Sequence, residues 1–427
     1  MKKAKLTTWI FFGMLAGIAV GWMCHALLPT PESAKAVAGY ISLVTDIFLR
    51  LIKMIIAPLV FSTLVVGIAH MGDTRAIGRI GIKTMAWFVT ASLASLLLGM
   101  ILVNVLQPGA ALNLPLPDVS ASSTLKTSSL SLKEFITHLV PRSVFEAMAN
   151  NEILQIVIFA VFFGASAAAF GDKSQTVIDW VDQVSHVMLR MTGFVMSLAP
   201  VAVFAAMAAI VTTQGLGILV TYGKFMGEFY LGILILWGLL ALVGFLLIGP
   251  RIGRLINLIR EPILLAFSTA SSEAAYPKTL EQLERFGASK KITSFVLPLG
   301  YSFNLDGSMM YCTFATLFIA QAYTIPLDLT QQITMLLILM VTSKGMAGVP
   351  RASLVVIAAT LATFNIPEAG LLLIMGIDQF LDMGRSATNV VGNSLATALV
   401  AKWENELRPE RDAQAQIDAD EGLGVAA

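Results

Sequence analysis

The chain consists largely of apolar runs about 20 residues long or longer, separated by short polar segments. Only 13% of its 427 residues are charged, whereas a soluble protein carries about a quarter charged residues. Lipid offers no hydrogen-bond partners, so each run must cross it as a helix or as a strand of a closed barrel. The apolar residues do not alternate with polar ones, which excludes barrel strands. The sequence therefore predicts an all-α integral membrane protein.

Eight runs are predicted to cross the bilayer as transmembrane helices, namely 8–28, 43–69, 82–106, 151–170, 176–211, 217–249, 292–322 and 366–402. Lysine and arginine concentrate at alternate connections, at 2–5, 75–83, 173 and 251–260. Cytoplasmic loops carry such residues in excess, so we expect the N-terminus in the cytoplasm. Residues 404–427 lack apolar periodicity and predict a mobile cytoplasmic tail at the C-terminus.

Two further segments do not fit a simple count of crossings. The flanks of 261–287 are basic and should both face the cytoplasm, yet about 27 residues cannot cross a 30 Å core twice. We therefore expect a re-entrant helical hairpin with its polar tip at 268–273. A second hairpin, 331–364, is interrupted at 343–351 and has flanks without Lys or Arg, so it should enter from the opposite face. Two inverted repeats with broken helices are typical of secondary transporters.

The last predicted helix carries a polar stripe with spacings of mostly three or four residues, formed by Asp378, Asp382, Arg385, Ser386, Asn389 and Asn393. A guanidinium binds a carboxylate, and a carboxylate accepts hydrogen bonds from an ammonium. The Asp382 and Arg385 pair therefore suits an acidic amino acid. The alternative is that the two charges only neutralise each other structurally.

The sequence resembles those of the dicarboxylate/amino-acid:cation symporters, the family of glutamate transporter homologues, over nearly the whole chain. The shared motifs are Ser271-Ser272, the Asn-Leu-Asp-Gly-Ser element at 304–308, Gly-Val-Pro at 348–350, and 382–386 with Asn389. The resemblance implies a homotrimer in which 1–250 is mainly a scaffold, with the third and sixth helices joining the moving part. It also implies that 251–403, with both hairpins, moves across the membrane as an elevator-type transport core.

The resemblance further implies roles for single residues. Arg385 would bind the side-chain carboxylate of the substrate, Asp382 its α-ammonium, and Asn389 with Ser272 its α-carboxylate. The remaining substrate-binding residues would be Ser271, Ser308, Gly348, Val349 and Ser386. Relatives that carry dicarboxylates without an amino group tend to lack the aspartate at the Asp382 position. The sequence therefore favours glutamate or aspartate, without selecting between them.

Departures from the family pattern bear on the coupling ion. Sodium-coupled relatives have an aspartate where this chain has Asn393 and a threonine where it has Ala91, and the ammonium of Lys344 would occupy or repel a cation. Asn304 and Asp306 remain, but we expect them to be insufficient as the only ligands for sodium. The cation sites of the sodium-coupled relatives are therefore degraded here.

Glu273 stands where sodium-coupled relatives usually have a serine. Burial favours the protonated form of a carboxyl group, so Glu273 is able to carry a proton. With Lys344 and Asn393 it resembles the bacterial proton/glutamate-aspartate symporters, which implies a bacterial inner membrane. We predict proton coupling through Glu273, with Asp306 or Asp378 as reserves. The alternatives are that Glu273 is a solvated tip residue, and that the chain is a sodium-coupled symporter of acidic amino acids or C4-dicarboxylates.

Two interpretations of Arg351, beside the second tip, stay open: it snorkels to the outer water, or it adds a cation near the substrate. Other function classes lack support in the sequence. A net charge of +1 provides no basic field for nucleic acid. The two cysteines and four histidines lack metal-ligand spacing, and no nucleophile and base form a plausible pair. We expect no enzymatic activity, no cofactor and no metal.

Overall fold

The structure is a computed structural model that describes residues 6–28, 30–69, 74–110, 137, 140–215, 222–343, 352–375 and 377–409. In these residues the regular structure is helical, apart from one isolated bridge between Ala288 and Leu407. The helices are α1 (Leu6–Leu27), α2 (Pro31–Ala69), α3 (Thr74–Leu106), α4 (Val144–Ala149), α5 (Ile153–Phe170), α6 (Gln175–Met196), α7 (Ala199–Gln214), α8 (Gly223–Ile248), α9 (Arg251–Thr269), α10 (Ser272–Phe286), α11 (Lys290–Phe303), α12 (Asp306–Ala322), α13 (Leu329–Thr342), α14 (Ala352–Thr363), α15 (Leu371–Met375) and α16 (Asp378–Trp403). The all-helical part of the fold prediction is confirmed for the described residues.

Five of the described helices are long and apolar enough to cross a membrane, or six if the bent pair α6 and α7 counts as one span. The predicted crossing 176–211 is broken, because α6 and α7 meet at 52° and Pro200 lies in the first turn of α7. The predicted crossing 292–322 is also divided, at Asn304 and Leu305, which leave helical geometry. The count of eight crossings stays a prediction.

A tight turn joins α9 and α10, which pack against each other. Ala270 adopts a left-handed conformation with φ of 50°. Ser271 then caps α10, since its hydroxyl oxygen accepts a hydrogen bond from the backbone nitrogen of Ala274 at 3.3 Å. The turn falls where the sequence predicts the polar tip of the first hairpin. The second predicted tip lies between α13 and α14, and its residues 344–351 are outside the described ranges.

Helix α16 is buried along most of its length and packs against α8, α9, α10, α11 and α12. Two hydrogen bonds fix it to α8: Trp237 Nε1 donates to Thr388 Oγ1 at 2.9 Å, and Tyr230 Oη donates to the Phe380 carbonyl at 2.6 Å. Gly384 allows the close approach of these helices, because a Cβ there would lie 2.6 Å from the Cδ1 of Ile233. The polar stripe of α16 therefore lies at the centre of a helical bundle.

The segment 404–409 continues from α16 and packs against the turn between α10 and α11. The Arg408 nitrogen donates to the Gly287 carbonyl at 2.9 Å, and the Ser289 nitrogen donates to the Glu406 carbonyl at 3.1 Å. The boundary of the tail predicted at 404 thus falls inside a packed segment. Residues 410–427 lie outside the described ranges.

Glu404 ties this segment to the start of α3. Its carboxylate lies 2.8 Å from Arg79 Nη2 and 2.7 Å from Lys83 Nζ. The hydrogen bond from Arg79 holds the pKa of the Glu404 carboxyl below its usual range. The ends of α3 and α16 are therefore joined by charge as well as by packing.

A seam of small residues joins α1 to α7. Gly13, Gly17 and Gly21 recur every four residues along α1, and a Cβ at any of them would collide with a backbone carbonyl oxygen of α7. Small residues at this spacing let helix backbones approach closely in a membrane, where dispersion contacts drive association. The seam depends on the absence of side chains.

We expect the Gly17→Ala variant to be less stable than the natural chain, because its methyl group would meet the Phe204 carbonyl, a backbone atom that cannot rotate away. Overpacking of this kind costs roughly 1–3 kcal/mol. Thermal unfolding of the detergent-solubilised protein measures the loss. The matched control is Gly238→Ala in α8, where a Cβ meets no atom within 4 Å. An equal or smaller shift for Gly17→Ala would contradict the packing described.

Candidate functional site

Arg385 lies about two turns into α16 with only 2% of its side chain exposed. Its Nη2 is 3.1 Å from Asp378 Oδ1 and 3.0 Å from Asp382 Oδ1. The guanidinium carbon is 4.2 Å from the centre of the Tyr311 ring, in cation–π geometry. The Tyr311 hydroxyl also donates to Asp378 Oδ1 at 3.1 Å. Two carboxylates and an aromatic face thus stabilise the buried cation.

Two nitrogen atoms of the guanidinium group take no part in this pairing. Nε and Nη1 of Arg385 are buried and have no hydrogen-bond partner among the described residues. Buried donors are nearly always satisfied, and the exceptions need an explanation such as a ligand. A donor on a cation is best matched by an anionic oxygen. Arg385 therefore retains hydrogen-bonding capacity for a carboxylate.

The two acidic partners of Arg385 differ in exposure. The Asp378 side chain is 3% exposed and that of Asp382 is 33% exposed. Asp378 is also engaged by Tyr311, which makes it part of the support for the guanidinium. Asp382 is the carboxylate that a solute can reach, which is what its predicted contact with an ammonium requires.

Asn389 connects α16 to the start of α12. Its Oδ1 accepts a hydrogen bond from the Gly307 nitrogen at 3.0 Å, and its Nδ2 donates to Ser308 Oγ at 3.3 Å. A Cβ at Gly307 would lie 2.6 Å from the Arg385 carbonyl oxygen, so this approach needs glycine. Ser386 is buried next to Arg385. The structure therefore brings together Ser308, Arg385, Ser386 and Asn389, four of the predicted substrate-binding residues.

A second polar cluster lies one turn further along α16. Asp306 is fully buried and accepts hydrogen bonds from Asn304 Nδ2 at 3.2 Å and from Ser95 Oγ at 3.4 Å. Asn304 Nδ2 also donates to Asn393 Oδ1 at 3.1 Å. A Cβ at Gly392 would collide with Asp306 Oδ2. Asn304 thus joins Asp306 and Asn393, which the family pattern also places at the cation site, in one hydrogen-bonded cluster.

The remaining predicted residues lie at the two hairpins. Ser272 begins α10 and Glu273 lies in its first turn, where Lys53 of α2 is the charge that acts on it. Helix α10 packs against α16, which brings the first tip towards the polar stripe. The other predicted positions, Lys344, Gly348, Val349 and Arg351, fall outside the described residues.

Tyr311 and Ser95 are members of the site that are not among the predicted residues. Tyr311 follows Ser308 by three residues, so both lie on one face of α12, and that spacing is the signal for it. Ser95 lies in an ordinary apolar stretch of α3 and offers no comparable signal. Its contact with Asp306 depends on how α3 packs against α12.

Comparison with known proteins gives a match over almost the whole chain. Residues 6–403 match the model of the sodium:dicarboxylate symporter family. A proton/sodium-glutamate symport protein of Bacillus caldotenax is 40% identical, over 97% of this chain and 98% of its own length. One of the same name from Bacillus subtilis is 38% identical over 96% of each chain. A C4-dicarboxylate transport protein of Laribacter hongkongensis is 39% identical, over 96% of this chain and 93% of its own length.

We expect Asp378→Asn to destabilise the protein more than Asp382→Asn. The first variant removes a buried charge from Arg385 and should lower the free energy of unfolding by roughly 1–3 kcal/mol. The second removes a partly solvated one, for which we expect about 1 kcal/mol or less. Thermal unfolding of both purified variants tests the order. Equal shifts would show that the two carboxylates support the guanidinium equally.

Proposed function

Because the chain belongs to the sodium:dicarboxylate symporter family, we propose that it takes up acidic amino acids, L-glutamate or L-aspartate, together with protons. The prediction that it is not an enzyme is confirmed, since the family and the relatives named above are transporters. The observation that carries the proposal is the Arg385 guanidinium, which is buried, supported by two carboxylates, and still has open donors.

The substrate follows from the charges in the pocket. Arg385 supplies donors for a side-chain carboxylate, and the exposed part of Asp382 accepts hydrogen bonds from an α-ammonium. Asn389, with Ser272 at the start of α10, binds the α-carboxylate, and Ser308 lies beside Asn389. Such an arrangement rejects a neutral amino acid, because the guanidinium would then keep its unsatisfied donors.

The names of the relatives do not select the substrate, because proteins named for glutamate and for C4-dicarboxylates are about equally similar to this chain. Asp382 favours an amino acid, since a dicarboxylate without an ammonium would place a carboxylate against it. Sodium-coupled uptake of acidic amino acids or C4-dicarboxylates is the alternative, and the family description favours it.

The polar cluster around Asp306 supports proton coupling over sodium coupling. Asn304 Nδ2 donates to oxygens of both Asp306 and Asn393, which engages acceptors that a hard cation would need. Asn393 contributes no charge. Glu273 is the carboxyl at the first tip, where Lys53 of α2 is the charge that acts on it.

The transport movement that we propose is an elevator within a homotrimer in the bacterial inner membrane, with both termini in the cytoplasm. Residues 1–250 form most of the scaffold, and 251–403 form the transport core with its two re-entrant hairpins. The packing supports this division, since α9 to α12 surround α16, whereas α1 and α2 pack mainly on α5, α6 and α7. Bulky apolar side chains exposed on α1 and α2 provide surface for lipid or neighbouring subunits.

Proteoliposomes test the coupling ion directly. We expect labelled glutamate or aspartate to accumulate when the outside is acidic, without any sodium, and the Glu273→Gln variant to lose this accumulation while retaining exchange at equal pH. The matched control is Glu281→Gln, on the same helix but paired with Lys278 and Arg285. Uptake that requires inward sodium and ignores a pH gradient would establish the alternative function.

Substitution of Asp382 tests the substrate class. We expect Asp382→Asn to weaken glutamate and aspartate about tenfold to a hundredfold, because it removes a charge-assisted partner of the ammonium. Succinate, which has no ammonium, should be weakened less or bound better. Competition by each compound against labelled substrate in exchange measures the difference. A parallel loss for amino acids and succinate would contradict the role of Asp382.

A further inference from the structure

An apolar groove of about 270 Å³ lies between α8 and α9, with residues of α16 between the two helices. Its lining includes Trp237 and Leu240 of α8, Ile256 and Ile263 of α9, and Val391 and Leu395 of α16. Trp237 Nε1 is already engaged by the Thr388 hydroxyl, so the lining presents apolar atoms to an occupant. The groove therefore suits a hydrocarbon chain and offers little to a water-soluble solute.

Gly238 opens the groove towards the outside of the bundle. One turn away on either side, Leu234 and Leu242 of α8 are 64% and 54% exposed, as expected for a helix face in contact with lipid. Gly238 interrupts this row of leucines, and a Cβ there would meet no atom within 4 Å. On the α9 side of the groove, Ile256 is 43% exposed. The hydrocarbon of the bilayer therefore has access to the groove.

The length of the groove matches one leaflet of a bilayer. Ile252 and Ile263 of α9 both line it, and their separation in sequence corresponds to about 16 Å along a helix. The hydrocarbon core is about 30 Å thick, so each leaflet contributes about 15 Å. The Ile252 end of the groove lies near the connection between α8 and α9, which the proposed topology places on the cytoplasmic side. One acyl chain lying along the helices thus fits the groove.

Positive charge borders the groove. Lys402 follows Leu395 by two helical turns, so it lies on the same face of α16 and about 10 Å nearer the end of the helix. Its Nζ donates to the Leu247 carbonyl at the end of α8. Arg260 of α9, one turn from two of the lining residues, is exposed, and its Nε donates to the Asn257 carbonyl at 3.1 Å. These carbonyls are neutral, so the two bonds do not neutralise the positive charges.

We propose that this groove binds an anionic phospholipid of the cytoplasmic leaflet, with one acyl chain between α8 and α9 and the phosphate held by Lys402 and Arg260. Basic pockets between membrane helices on this side are typical sites for acidic lipid headgroups. The site is separate from substrate transport and takes only the choice of leaflet from the proposed topology. Because three helices form the groove, the bound lipid holds the first hairpin against α8 and stabilises the bundle.

The test uses the full-length protein, purified in detergent, to which phosphatidylglycerol or phosphatidylcholine is added. We expect native mass spectrometry to show tighter binding of phosphatidylglycerol, and thermal unfolding to move to higher temperature with it. Gly238→Leu should abolish this binding, because its side chain would occupy the mouth of the groove. The matched control is Gly227→Leu, also in α8 but outside the groove, where a Cβ likewise meets no atom within 4 Å. This control should bind lipid like the natural chain.

A second variant tests the charge. We expect Lys402→Gln to reduce the preference for phosphatidylglycerol over phosphatidylcholine about fivefold, because it removes one cation from the headgroup site. Binding of phosphatidylcholine should stay unchanged. The matched control is Lys173→Gln, which removes an exposed lysine from the connection between α5 and α6.

Three results would overturn the proposal. Equal loss of lipid in Gly238→Leu and Gly227→Leu would show contact with the bulk bilayer only. Equal binding of both lipids by the natural chain would refute the anionic headgroup. Unchanged lipid binding with a smaller oligomer in Gly238→Leu would assign the groove to a second copy of the chain. Should Gly238→Leu fail to fold, Ile256→Phe narrows the mouth from α9 and decides. Lipid binding is measured without transport, so a failure of the proposed transport function leaves this test intact.

Discussion

A guanidinium held inside an apolar bundle is the constraint on which the rest of this structure depends. An unpaired charge in such surroundings is very costly, so Arg385 requires carboxylates and an aromatic face at fixed positions. Asp378 and Asp382 come from its own helix, whereas Tyr311 comes from α12. The stability of the cation therefore requires α12 and α16 to keep one mutual register.

Glycine residues allow the helices to pack closely in that register. Gly307 lets the start of α12 lie against the backbone of α16, and Gly392 leaves room for the carboxylate of Asp306. Gly384 lets α8 approach the opposite side of α16. The space is filled by the Arg385 carbonyl at Gly307, by the Asp306 carboxylate at Gly392, and by Ile233 and Tyr230 at Gly384. The close packing and the polar interior are thus two aspects of one arrangement.

Residue spacing is sufficient to predict those features that lie within one helix or one turn. The interval between Asp382, Arg385 and Asn389 places them on one face, and the polar residues near Ala270 predict a turn. Residue spacing does not predict features that depend on how two helices pack against each other. The stacking of Tyr311 on Arg385 depends on the rotation of α12. The bend before Pro200 lies inside the run 176–211, where the sequence predicts a single crossing.

The segment 404–409 also imposes an order on biogenesis. The Gly287 carbonyl and the Ser289 nitrogen bond to Arg408 and Glu406, which follow far later in the chain. During translation, α9, α10 and α11 leave the ribosome well before these partners exist, and contacts between such distant residues form slowly. Until then the turn between α10 and α11 lacks these two hydrogen bonds. They form in the final stages of assembly, after α16 has packed into the bundle.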